Sequence, residues 1–365
     1  MKRPLLSIGI SREIKRNLLS GTSKTGLIFS LFTCLLSVLV VHEVLVIDSV
    51  QVGAVNYQES GANIRYVSAE GRIDGAGCES LSRNLGISSA AIRKIDSGLR
   101  PTVMSSIPIE EYVASTGILA ILDTAQFKPQ NTANAGVLMG KPAYEYLLGN
   151  GNKLSTSQGE LNISGVYEYP DDGRRGGFGY AIISPELVDT KPYDECWLIS
   201  WPESIEANSL LNTVVIPDSG AEDVIPQISQ LNTTLGNSFD GDKLFTSRTS
   251  KFNYLLALTT GLALGASSIW LRRLEFSSML HSGMRNSQLV VMQILEQSIW
   301  AIPGAIVSVS IGFLISGKYS DNLHTINLVT AQIVVFALIG VFSGVIITAL
   351  NMKERYLLNF LKKRE

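Results

Sequence analysis

Few residues in this 365-residue chain have types or spacing that could do chemistry. His42 and Glu43 are adjacent ionisable groups near the outer end of an apolar run. There an imidazole and a carboxylate could ligate haem or a metal, or could mark where a helix leaves a membrane. Glu296 lies about two turns into another apolar run, where a carboxylate either positions a neighbouring segment or binds substrate. Cys78 and Cys196 share one polar stretch and are either disulfide-bonded or separately buried thiols, whereas Cys34 sits in an apolar run. Arg272, Arg273, Glu275 and Arg285 crowd into a short segment between two apolar runs.

Other chemistry is missing. There is no GxxxxGK[ST] phosphate cradle, and neither GRRGGFG at 173–179 nor GNGNK at 149–153 has its spacing. No GxSxG, HExxH or kinase-like set occurs. The carboxylate pairs Glu110-Glu111 and Asp171-Asp172 are adjacent in sequence and read as solvated turns. The histidines lack metal-site spacing and the cysteines form no CxxC. No metal or cofactor is expected on this chain, and it is not expected to be an enzyme. Work against a gradient would draw its energy from another subunit.

The elements that must position these residues follow from the apolar runs. Mean hydropathy is +0.22 and charged residues make up 17%, too apolar for an ordinary soluble enzyme, yet the middle of the chain is polar. Runs at 26–47, 252–271, 289–315 and 326–350 are each long enough, at about 1.5 Å per residue, to cross a hydrocarbon core of about 30 Å. A cleaved signal peptide is the alternative for the first, but its length favours an uncleaved anchor. Residues 48–250 contain no further spanning run and are long enough for a folded domain. By count that stretch holds about 15 Lys/Arg against about 25 Asp/Glu, whereas both tails and the 272–288 segment are basic. The positive-inside rule then places the 1–25 segment, the 272–288 segment and the 351–365 tail in the cytoplasm, and residues 48–250 outside. The fold class is therefore membrane α-helical, with four transmembrane helices and a large α+β extracytoplasmic domain between helices 1 and 2.

Within that domain, strands are expected at 63–70, 136–140, 159–170, 178–185, 195–202 and 213–217, with helices at 78–86, 141–149, 204–212 and 221–236. Residues 1–25 form either a short amphipathic helix along the inner membrane face or a basic tail. Small residues recur four apart as Gly261/Gly265, Gly304/Ser308/Gly312 and Gly340/Gly344, which allows close helix packing without naming the partner. Pro303 is expected to kink the third span.

The 270–312 region, with its Arg272-Arg273 pair, Glu275, Gly283-x-Arg285, Glu296 and the glycines Gly304 and Gly312, resembles the permeases of MacB/FtsX-type ABC transporters. A softer likeness covers 136–185: an apolar strand, a short helix, a strand ending GVY and a strand ending SP. His281, Ser282 and the Ser277-Ser278 pair depart from the family's usual residues.

The resemblance implies a permease subunit that binds no ATP itself and works with two copies of a separate ABC ATPase carrying ATP and Mg. A second permease subunit, identical or different, would complete the complex. Residues 272–288 would then be a coupling helix. Its ATPase contacts would involve Arg272, Arg273, Leu274, Glu275, Phe276, Met279, Leu280, Gly283, Met284 and Arg285, with Leu274, Phe276, Met279, Leu280 and Met284 as the contact face. The cargo would be a peptide, drug or lipid-like molecule handled at the outer surface. Rival readings are an FtsX-like mechanotransmitter regulating a cell-wall hydrolase, a peptide-sensing receptor complex, and a haem exporter using His42 and Glu43. Nucleic acid is not an expected partner.

Overall fold

The computed structural model describes residues 24–84, 86–104, 106–122, 136–149, 151–203, 206–217, 225–316 and 323–352. The amphipathic helix expected within 1–25 and the basic tail after 351 fall almost wholly outside them. The chain divides into two compact units: Met1–Gly53 together with Gly241–Glu365, and Ala54–Asp240.

The first helix, α1 (Thr25–Glu59), is 35 residues long, about 52 Å at the α-helical rise. That exceeds the run expected at 26–47, because no proline interrupts 48–59 and its one glycine does not end the helix.

The second unit then follows as β1 (Ile64–Ile73), α2 (Gly75–Ser80), β2 (Ile87–Leu99), β3 (Ile109–Ser115), α3 (Ile118–Ile121), β4 (Val137–Gly140) and α4 (Lys141–Leu147). It continues through β5 (Lys153–Thr156), β6 (Gly159–Tyr167), β7 (Ala181–Glu186), β8 (Tyr193–Ser200), α5 (Ala207–Thr213) and β9 (Gln227–Gln230). These strands form one nine-stranded mixed sheet in the order β5-β6-β4-β7-β3-β2-β8-β1-β9. The β3–β7 and β4–β6 pairs are parallel and the others antiparallel.

Both faces of the central strands are covered. Along β8, Trp197 joins a core with Ile92, Ala114 and Phe178. Its neighbours Cys196 and Leu198 join a separate core with Val67, Ile73 and Leu211. The alternation of side chains along a strand produces that split.

Three local expectations need correction. β2, with the sequence ISSAAIRKIDSGL, was not expected as a strand because its centre is small and its end charged. Gly117, before α3, crosses β2 directly: a Cβ there would lie 2.0 Å from Ser89 O, so position 117 requires glycine. The helix expected at 221–236 is replaced in its described part by β9, which pairs antiparallel with β1. Pro226 interrupts the helical pattern, and the open edge of β1 offers a ladder that a helix cannot use. The strand expected at 213–217 reduces to a single bridge between Ile73 and Val215, because α5 runs through Thr213.

The membrane unit resumes with α6 (Gly241–Thr246), a 3-10 turn at Thr249–Phe252, α7 (Asn253–Leu271), α8 (Arg273–His281), α9 (Asn286–Ile315) and α10 (Leu323–Asn351). Helices α1, α9 and α10, and α7 with the segment leading into it, are long and apolar enough to cross a membrane. α9 remains one helix through Pro303.

The glycines find their partners here. A Cβ at Gly261 would lie 2.3 Å from Ala337 O, and one at Gly265 would lie 2.2 Å from Val341 O. Reciprocally, Gly340 meets Leu258 O at 2.2 Å and Gly344 meets Leu262 O at 2.3 Å. α7 and α10 thus share one glycine seam in which backbone touches backbone. Gly304 and Gly312 serve a different pair, facing Phe32 with Thr33 and Val40 with Val44 of α1. Between them Ser308 Oγ donates to Thr33 O at 3.2 Å.

Candidate functional site

The site is built where α7 gives way to α8. Arg272, the residue between them, leaves the α-helical region at φ −106°, ψ 17°. Its backbone N–H bonds Ile269 O at 3.1 Å, closing the end of α7. Its side chain turns inward, and all three guanidinium nitrogens are engaged. Nε donates to Glu275 Oε2 at 2.8 Å, Nη2 to Glu275 Oε1 at 2.6 Å and Nη1 to Glu296 Oε1 at 2.5 Å. The guanidinium also lies 4.8 Å from the centre of the Phe276 ring. The Arg272 and Glu296 side chains are only 7% and 2% exposed. A charge so buried is tolerable because each guanidinium nitrogen and each Glu296 oxygen has a hydrogen-bond partner.

Glu296 belongs to a longer polar line on α9. Gln293 Nε2 donates to Glu296 Oε2 at 3.0 Å, Gln297 Nε2 to Gln293 Oε1 at 3.2 Å and Trp300 Nε1 to Gln297 Oε1 at 2.6 Å. The Trp300 ring meets Phe32 of α1 edge-on, with centroids 5.2 Å apart. Polar contacts therefore run from the start of α8 to the side of α1. Gln293, Gln297 and Trp300 were not singled out in the sequence. Their i, i+3/i+4 spacing around Glu296 inside an apolar run was the available signal.

The face of α8 differs from the expected one. Phe276 is fully buried with Ile269, Leu289, Met292 and Val345, and Met279, Leu280 and Met284 pack against that cluster. Four of the five residues assigned to the ATPase contact face therefore hold α8 to its own bundle. In a nine-residue helix the apolar stripe goes to the nearest apolar surface, which here is intramolecular. Leu274, Arg273 and Glu275 are half-buried, and the exposed residues are Ser278, His281, Ser282, Gly283 and Arg285. Gly283, at φ +96°, ends α8 in the left-handed region, where a side chain would be strained. The outward surface is polar and basic.

Midway along α1, His42 and Glu43 meet at one group: the Asn253 amide nitrogen lies 3.2 Å from His42 Nδ1 and 3.1 Å from Glu43 Oε2. Glu43 is 1% exposed and bonds Arg248 and Asn253. His42 is exposed and lines an open groove of about 740 Å³ with Phe29, Ser30, Thr33, Cys34, Ser37 and Ile311. Among the described residues no three His, Cys, Asp or Glu side chains are placed to hold a metal ion. Consecutive helical residues point about 100° apart, so His42 borders the groove while Glu43 faces inward.

In the sheet unit Cys78 and Cys196 are bonded, with Cα atoms 5.9 Å apart across a sequence separation of 118. Closing such a loop is worth about 5 kcal/mol in the chain-entropy model. Lys94 Nζ donates to Glu110 Oε1 at 2.8 Å and holds the Glu110 carboxyl below its usual range. Glu111, next in sequence, is pushed the other way by burial and then by Glu186.

These units define a class of protein: four candidate membrane spans with an α+β domain inserted between the first and second. No family model matches this chain, and no curated protein matches it in sequence. Among solved structures it is similar to the periplasmic region of MacB from Actinobacillus actinomycetemcomitans, at 14% identity and a TM-score of 0.34. That match covers 53% of this chain and 97% of the other. It is also similar to a domain of a putative permease protein from Porphyromonas gingivalis, at 9% identity and a TM-score of 0.30, covering 47% and 92% of the two chains.

Proposed function

We propose that this chain is the membrane subunit of a MacB/FtsX-type ABC complex, driven by a separate ATPase that docks on α8. The observation that carries the reading is the helix itself. α8 is too short to be a domain, lies between two candidate spans, and is fixed to α9 by the buried Arg272–Glu296 pair while presenting a polar, basic face. The sequence resemblance over 270–312 points the same way. In this reading the N-terminus, α8 and the C-terminus are cytoplasmic and the sheet unit is extracytoplasmic. Two permease chains engage two ATPase chains, and ATP-driven closure moves α8. The polar line to Trp300 and the Phe32 contact then carry that movement to α1. The cargo is a peptide, drug or lipid-like molecule at the outer surface.

The exposed face of α8 sets the test. Leu280→Asp would disturb the intramolecular cluster, so it would confuse folding with docking. Arg285→Glu reverses charge on the outward face instead. Intact protein purified from its native membranes is expected to bring down an ATP-hydrolysing chain, and Arg285→Glu together with Ser278→Glu to lose it. Folded protein that yields no associated ATPase activity would overturn the assignment and leave a membrane receptor as the working reading.

One observation favours the regulatory alternative. Val103 and Ile107, in the loop between β2 and β3, are 82% and 57% exposed, and in that alternative they would seat a protein partner such as a cell-wall hydrolase. Loss of hydrolase activation in Val103→Ser/Ile107→Ser, with cargo movement intact, would favour that reading.

A further inference from the structure

Glu43 sits on the inward face of α1, beside the buried residues Val40 and Val44. Its two oxygens have separate donors: Arg248 Nε reaches Oε1 at 2.8 Å and Asn253 Nδ2 reaches Oε2 at 3.1 Å. The same Asn253 amide lies 3.3 Å from Leu39 O and 3.2 Å from His42 Nδ1. Arg248 is itself held, with Nη1 on Phe245 O at 2.8 Å and the guanidinium 4.0 Å from the centre of the Phe245 ring. Chain direction gives this cluster its interest. Glu43 lies on the helix that leads into the sheet unit, and Arg248 and Asn253 lie on the segment by which the chain returns from it.

Apolar side chains packed in a membrane let helices slide at little cost, because lipid offers nearly equal contacts. A buried carboxylate with two fixed donors permits one register, since any slip leaves a charge unpaired. We propose that Glu43, Arg248 and Asn253 form a clamp that makes α1 and the returning 241–253 segment move as one strut. The clamp requires no ATPase, so its failure would leave the docking reading standing, and loss of docking would leave the clamp standing.

Spin labels at Ser49→Cys and Ser247→Cys, both exposed positions, test it in the full chain in lipid nanodiscs. Cys34, the exposed free thiol, is replaced by Ala, and the bonded Cys78 and Cys196 take no label. The parent is expected to give a narrow distance distribution and Glu43→Gln one about twice as wide or wider. The exchanged pair Glu43→Arg with Arg248→Glu is expected to restore the narrow distribution. Arg248→Lys keeps the charge but loses the fork, and it carries the same comparison if Glu43→Gln fails to assemble. A distribution in Glu43→Gln, or in Arg248→Lys where that variant stands in, no wider than the parent's would overturn the clamp.

Discussion

Replacing Glu296 by Gln keeps the shape of the side chain and removes its charge. Arg272 would lose one of three charged contacts, because Nε and Nη2 remain on Glu275 at 2.8 and 2.6 Å. Breaking a wholly buried pair costs about 3–5 kcal/mol, so the surviving Glu275 pair brings the loss to about 2 kcal/mol. That raises the population of the detached α8 about 30-fold. Amide hydrogen exchange at 276–281, followed by mass spectrometry in nanodiscs, is expected to speed up by that factor, with exchange in the α7–α10 seam unchanged. Arg272→Met should act more severely, since it leaves Glu296 buried without its counter-charge. The double variant Arg272→Met/Glu296→Met should return close to the parent, because an apolar pair of similar volume replaces a buried ion pair at little cost. Two results would refute the reasoning: exchange at 276–281 within about twofold of the parent in Glu296→Gln, or a double variant as open as Arg272→Met alone.

Two other outcomes test the packing and the electrostatics. Gly261→Ala places a Cβ 2.3 Å from Ala337 O and must push α7 from α10, costing about 2–3 kcal/mol; Gly26→Ala, with no atom within 4 Å of the new carbon, is the control. Thermal unfolding in detergent should separate the two, and equal midpoints would count against the seam. Glu111 has its pKa raised, by burial first and then by Glu186, so the folded state favours the neutral acid. Its charged form therefore subtracts stability as pH rises from about 4.3, the unfolded value, through the raised folded one. Glu111→Gln is expected to raise the unfolding midpoint at pH 7 by about 1–3 °C and to leave it unchanged at pH 3.5, where the parent is also protonated. A gain of equal size at both pH values would show that charge is not the cause.

The spans were legible because an apolar run of membrane length has few other uses, and the glycines because the seam requires them at four-residue spacing. What stayed hidden had a physical reason in each case. β2 resembles a loop in sequence because Ser88 to Ala91 are small and its end is charged, although Ser89, Ala90 and Ala91 are wholly buried in the sheet unit. β9 looks helical because Ile225, Ile228 and Leu231 happen to be spaced by three, and the pairing edge that overrides this lies far away in sequence, in β1. The orientation of α8 was ambiguous because both Leu274 and Phe276 are apolar, and only the bundle decides which of them turns inward. The choice between a bond and two thiols for Cys78 and Cys196 depended on a distance, 5.9 Å between Cα atoms, that a separation of 118 residues conceals.

The remaining polar residues explain why this bundle has a defined mechanical register at all. The glycine seam brings α7 and α10 together, but apolar packing alone permits sliding and rotation. Buried ion pairs forbid both, and among the described residues of the membrane unit they stand at two separate stations. Glu43 with Arg248 fixes α1 to the approach of α7, while Arg272 with Glu296 fixes the start of α8 to α9. Between the stations, Trp300 against Phe32 and Ser308 against Thr33 O join α9 to α1. A push on α8 therefore has a connected series of fixed contacts to follow, α8 to α9 to α1. In the proposed complex, alanine at Phe32 should interrupt it without loosening α8: amide exchange at 276–281 stays at the parent rate, while the response of α1 to nucleotide on the proposed ATPase partner is lost. Coupling that survives Phe32→Ala would mean that the movement reaches α1 by another route, with the Ser308–Thr33 contact as the next candidate.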